Sequence, residues 1–212
     1  QNIKDDPDFD KVATRLLLKT IYKKVVGWYA TDDRGALKTK HQEGFVHFVR
    51  EGVKEGRLHK NMAEKFDLER LSKALKLERD ELFVYSGLDG LMNRYGMKNL
   101  EQKPLETPQY IFMRVAMGLS YNEVDPTAWA IRFYDKLSKH EYMSGGSTML
   151  GAGTVRSSLS NCFLLQIEDN MEHIAKSVSD VMLLSKRSGG LGASVTKLRA
   201  AGSPLKSNFG GA

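Results

Sequence analysis

The 212-residue sequence contains one cysteine, Cys162. A single thiol excludes an internal disulfide framework and any cysteine-rich zinc site. The five histidines (His41, His47, His59, His140, His173) are scattered, and none forms an HExxH pair, so no metal site is expected. No apolar run reaches the ~18 residues that a membrane-spanning helix needs. No basic stretch followed by an apolar segment and a cleavage site opens the chain. The expectation is a cytoplasmic protein without membrane contact. A phosphate-cradling GxxxxGK[ST] loop is absent too, because "GSTMLGAG" has no lysine at the required place. The glycines of "SGGLG" come after a helical pattern, which is the wrong order for a dinucleotide fingerprint. Charge is only mildly unbalanced, with 32 basic and 26 acidic residues and a net +6. That favours anionic partners such as nucleotides and does not require direct nucleic-acid binding.

What is present is, first, a helical part. Phe9, Val12, Leu16, Ile21 and Val25 are read as one apolar stripe, with Lys11, Arg15, Lys19 and Lys23 opposite and Gly27 near the helix end. Phe45, Phe48, Val49 and Val53 follow at helical spacing, then Leu68, Leu71, Leu75 and Leu82 among charges. Thr107–Pro108 and Asp125–Pro126 each pair a capping residue with a proline at the first helical position. The helix after Thr107 places Met113 and Met117 in its apolar stripe; the one after Asp125 places Trp129, Phe133 and Leu137 on one core face. Packing accounts for all of these.

The composition then changes. From Ser144 to Asn161 nearly every residue is small, which predicts a ligand-facing loop. "CFLLQI" reads as a strand. A helix follows, with Ile174, Val178, Val181 and Leu184 or Ser185 inward and Asp169 or Asn170 as its cap. A glycine turn with positive φ ends it, and "ASVTKL" is the next strand. Together these make a parallel βαβ unit. Two parallel strands do not form a stable sheet alone, so further strands are expected from another polypeptide or a continuation. With Gln as first residue, the chain is read as a portion of a larger protein, either a natural split piece or an excised segment. On its own, Cys162 at the head of this strand suits either a small buried hydrophobe or a working thiol.

At "GGST", "SNCF", "SKRSGGLG" and "RAAGSP", in that order, the sequence resembles the large, catalytic subunit of ribonucleotide reductase. The likeness is strongest to class I, with the adenosylcobalamin-dependent class II close behind. It implies a mixed α/β fold: a helical N-terminal domain over residues 1–140, without an ATP-cone ahead of it. Residues 141–212 would be the first part of a ten-stranded α/β barrel that is incomplete in this chain. The thiyl-forming cysteine, the radical-transfer tyrosines and the C-terminal cysteine pair of the family have no counterpart here, so the chain alone is expected to be inactive.

The resemblance also implies roles for residues. Cys162 matches a redox-active thiol beneath the ribose, paired with a cysteine outside this chain. Asn161, Gly146, Ser147, Thr148 and Gly190 match substrate contacts, with Gly146 limited to its backbone. Asp169, Asn170 and Met171 match base and ribose contacts of a deoxynucleoside triphosphate effector, and Lys186, Arg199 and Lys206 match its phosphate ligands. Mg²⁺ would accompany that effector. The radical would come from a separate metal-containing subunit, or from adenosylcobalamin in class II. Other implied partners are the rest of the catalytic subunit, a second copy in a homodimer, the ribonucleotide substrate and a thioredoxin- or glutaredoxin-type reductant. The implied function is radical reduction of ribonucleotides for DNA synthesis under allosteric control. The alternative is a non-catalytic nucleotide-binding or assembly module that retains only the effector patch.

Overall fold

The computed structural model describes residues 8–186 and 189–203. Its helices are α1 (Asp8–Val26), α2 (Arg34–Lys54), α3 (Asn61–Glu64), α4 (Leu68–Ala74), a 3₁₀ helix (Leu77–Leu82), α5 (Tyr85–Arg94), α6 (Pro108–Ser120), α7 (Pro126–Ser138) and α8 (Gly146–Gly151). Then come β1 (Cys162–Gln166), α9 (Met171–Lys186) and β2 (Gly190–Ser194). The mixed α/β architecture expected from the sequence is therefore present: a helical unit and a βαβ unit, dividing between Leu159 and Ser160. The change in composition after residue 140 precedes that division, because residues 144–154 pack into the helical unit.

The helical unit is built around α6, which is buried on every side from Pro108 to Gly118. A helix apolar all round belongs at the centre of a core. The Thr107 hydroxyl accepts the Tyr110 N–H, and Asp125 accepts the Ala128 N–H at 3.0 Å, so both expected caps form. Met113 and Met117 are fully buried. Gly118 lies so close to the turn after α8 that a Cβ there would stand 2.2 Å from the Gly153 nitrogen.

Three stripes differ from expectation. In α1 the buried residues are Thr14, Leu18, Ile21 and Tyr22, whereas Phe9, Val12 and Leu16 are exposed. Polar residues could turn inward because Thr14 donates to the Asp10 carbonyl and Tyr22 to Asp80. Leu82 is 54 % exposed. The chain leaves helical φ/ψ at Leu75 and resumes as a 3₁₀ helix, so the phase set by Leu68 and Leu71 is lost and Asp80 faces inward. In α7 the buried line is Thr127, Ala130, Tyr134 and Leu137; Trp129 is exposed and packs on Phe133, with Arg132 over its ring.

In the second unit, β1 and β2 pair in parallel from Cys162↔Gly190 to Gln166↔Ser194. The second strand thus begins at Gly190 and ends at Ser194, ahead of the expected Ala193–Leu198. Glycine is a poor strand former, which hid the start. Gly189 is required for space, since a Cβ there would meet the Phe163 ring at 2.6 Å. Asn170 caps α9, its side chain accepting the His173 N–H at 2.8 Å. Ser177 is buried in α9 and Val178 is 56 % exposed, the reverse of the expected order. Ser177 is next to His173, whose Nδ1 lies 3.4 Å from its hydroxyl, so its polar atom has a partner.

Candidate functional site

Cys162 heads β1 and is exposed. Side chains alternate along a strand, so Cys162, Leu164 and Gln166 share one face, and Phe163 and Leu165 the other. The first set is exposed and the second half-buried. Leu164 at 89 % exposure makes the Cys162 face an open face of a parallel sheet. Gly190 stands across from Cys162, and its N–H donates to the Asn161 carbonyl at 2.7 Å. Cys162, Asn161 and Gly190 are therefore brought together at the N-terminal edge of the strand pair.

Gly146, Ser147 and Thr148 do not form the expected loop. They begin α8, with Gly145 as its N-cap, and the Thr148 hydroxyl donates to the Leu159 carbonyl at 3.0 Å. What fixes α8 is Arg114, a residue whose role the sequence reading missed. Its guanidinium is 1 % exposed and donates to the Met149 and Ala152 carbonyls at 3.2 and 2.9 Å. The same group pairs with buried Glu106 at 2.6 Å and reaches the Tyr95 carbonyl, while Glu106 accepts the Met97 N–H. An arginine inside the apolar run "YIFMRVAMGL", eight residues after a glutamate, was the available signal.

At the start of α9, Asp169 and Arg199 form an ion pair at 2.7 Å, and Glu168 and Lys197 form a second at 2.6 Å. Together they fasten the segment after β2 to the segment before α9. Met171 is 74 % exposed beside them. Asp169, Asn170, Met171 and Arg199 thus lie in one neighbourhood. Lys186 does not join them: it ends α9, roughly 22 Å along the axis from Met171 at about 1.5 Å per residue. Lys206 lies outside the described residues. Among the described residues no three of His, Cys, Asp and Glu gather as a metal site.

Two family models match the chain along this division. Residues 81–157 match the ribonucleotide reductase all-alpha domain, and residues 160–212 match the ribonucleotide reductase barrel domain. The ribonucleoside-diphosphate reductase subunit alpha of Chlamydia trachomatis serovar D is 40% identical over 211 residues, which is 99% of this chain and 20% of that protein.

The chain belongs to the ribonucleotide reductase large-subunit family.

The subunit alpha of Helicobacter pylori strain 26695 is 37% identical over 202 residues, 94% of this chain and 24% of its own length. The ribonucleoside-diphosphate reductase large subunit of vaccinia virus is 35% identical over 143 residues, 67% of this chain and 18% of its own. The chain thus spans about a fifth of the length of the family members it matches. The barrel match begins two residues ahead of Cys162, so the thiol, Asn161 and Gly190 all fall in that domain. Among the described residues no helix is long and apolar enough to cross a membrane.

Proposed function

We propose that this chain is a portion of the catalytic subunit of a ribonucleoside-diphosphate reductase, and that Cys162 is one of the two thiols that reduce the ribose. The observation that carries the reading is the exposed Cys162 sulfur at the head of β1, flanked by Asn161 and the side-chain-free Gly190. Removing a 2′-hydroxyl as water takes two electrons and two protons. Two thiols supply both by forming one disulfide. The chain has one cysteine, so the second thiol belongs to another part of the catalytic subunit.

The small residues around Cys162 leave room for the sugar. Ser147 and Thr148 at the first turn of α8 are the proposed contacts of substrate phosphate and ribose, with Gly146 limited to its backbone. The proposed effector patch is Asp169, Asn170, Met171 and Arg199; Lys186, at the far end of α9, is left out of it. The remaining barrel strands would cover the Cys162, Leu164 and Gln166 face. Chain carriers of the radical, a small subunit or adenosylcobalamin, and a dithiol protein reductant complete the proposed system.

Cys162→Ser in the intact large subunit, assayed with its radical source and a dithiol reductant, tests this. Deoxynucleotide formation should fall below detection while the thermal melting temperature stays within a few degrees. Turnover at the unsubstituted rate would show that Cys162 only packs.

A further inference from the structure

Three segments of the helical unit line a half-open cleft of about 600 Å³ that plays no part in the proposed reductase chemistry. They are α1, α2 and the junction between α4 and the 3₁₀ helix. A volume of that size suits a small organic ligand. Leu18, Trp28, Leu37, Leu75 and Leu77 give it apolar walls. Arg15, Lys19, Lys38, Lys73 and Lys76 also line it. None of these five makes an ion pair with another described residue, although Lys11, Lys40 and Lys54 on the same two long helices do. Glu78 and Glu81 share the lining, so cations remain in excess.

The deeper lining is polar and closed to water. His41 is fully buried; its Nε2 lies 2.8 Å from the Thr107 hydroxyl, and its Nδ1 has no hydrogen-bond partner among the described residues. Burial holds the ring pKa down at about 3, so it is neutral and offers one polar nitrogen without charge. Asp80 beside it is also buried. Like charges from three segments around one concavity repel each other. A bound anion with an apolar body would relieve that repulsion.

We propose that this cavity binds a phosphorylated small molecule of nucleotide size. Its phosphates would lie among Arg15, Lys19, Lys38, Lys73 and Lys76, and its planar apolar part against Leu18 and Trp28. A flat basic patch would suit a nucleic-acid strand; a concave cleft lined by both apolar and basic side chains suits a small ligand.

The test uses this chain with Trp129→Phe, which leaves Trp28, in the wall, as the one tryptophan of two. Its fluorescence is followed during titration with adenosine 5′-diphosphate, inorganic pyrophosphate or adenosine. The diphosphate should give a saturable change, with adenosine at least 10-fold weaker and pyrophosphate competing. Lys19→Ala with Lys73→Ala, both exposed and so compatible with folding (circular dichroism checks this), should weaken the diphosphate at least 10-fold. Arg199→Ala and Asn161→Ala, in the sites proposed above, should leave it unchanged. No saturable signal, binding of pyrophosphate without the diphosphate, or a signal that survives the lysine pair and disappears with Arg199→Ala or Asn161→Ala overturns the proposal. Because the readout is local to Trp28, these outcomes do not depend on the reductase reading.

Discussion

Gly190 lies directly across the parallel pair from Cys162, close enough that a Cβ at position 190 would stand 3.5 Å from the cysteine sulfur and 3.3 Å from the Asn161 carbonyl oxygen. The glycine is there for space and not for backbone freedom, since its φ is not in the left-handed region. Gly190→Ala should therefore fold with small local shifts. Gly190→Val, with γ-methyl groups reaching past that Cβ, should shield the thiol. As the chain has one cysteine, thiol labelling reads this site alone. Labelling with an aromatic disulfide at pH 8 should slow several-fold for Val and little for Ala. Equal rates for all three would mean that the thiol is reached from a side Gly190 does not guard.

Arg114 should be among the costliest single losses in the helical unit. Removing one partner of a buried ion pair leaves the other charge uncompensated, at about 3–5 kcal/mol. Arg114→Met would also orphan the Met149 and Ala152 carbonyls that tie α8 in place. Denaturant unfolding should show the midpoint falling accordingly. Adding Glu106→Gln should recover part of the loss by removing the stranded charge. A midpoint shift equivalent to less than about 1 kcal/mol would show that the network is dispensable.

Asp80 makes stability depend on pH in an uncommon direction for a carboxylate. Burial pushes it up from 3.8 to about 7, although Tyr22 and Gln109 both donate to it. Between these values the folded chain holds a proton that the unfolded chain releases. The contribution of this group is thus full below about pH 4 and is lost as pH rises through 7. At ~1.4 kcal/mol per unit the upper limit is about 4 kcal/mol. Asp80→Asn should remove that slope. The checking measurement is the difference between variant and parent unfolding free energies from pH 4.5 to 8. That difference should move in favour of the variant as pH rises. A flat difference would place the Asp80 pKa at an ordinary value in the folded chain.

What the sequence disclosed was what local chemistry decides. Thr107–Pro108 and Asp125–Pro126 could be read as helix starts because a cap and a proline act within one turn. The β1 strand and the Asn170 cap were legible for the same reason. The inward face of α1 was not, because Thr14 and Tyr22 become core residues only once Asp10 and Asp80 satisfy them, and Asp80 is distant in sequence. α8 looked like a loop because glycine and serine are weak helix formers; the Arg114 guanidinium holds it from another helix. For the candidate site, Cys162, Asn161 and Gly190 were grouped by the family resemblance that the ordered motifs carry. Lys186 could not be separated from Arg199 that way, since the length of α9 decides it.

Arg199 carries the last prediction, which rests on the proposed effector patch. Its ion pair with Asp169 is about one-third exposed on both sides, so its contribution to stability is small, about 0–1 kcal/mol. A phosphate group competing for the same guanidinium forms charge-assisted hydrogen bonds worth roughly 1.5–3 kcal/mol. Arg199→Ala in the intact large subunit should then weaken deoxynucleoside triphosphate binding about 10- to 100-fold, at ~1.4 kcal/mol per decade. The melting temperature should hardly move, and turnover without effector should persist. Arg199→Lys should restore part of the affinity, because charge returns without the planar fork. Calorimetric titration of the triphosphate into parent and variants measures this directly. If affinity is unchanged and the melting temperature drops instead, Arg199 serves only to fasten the segment after β2 to the start of α9.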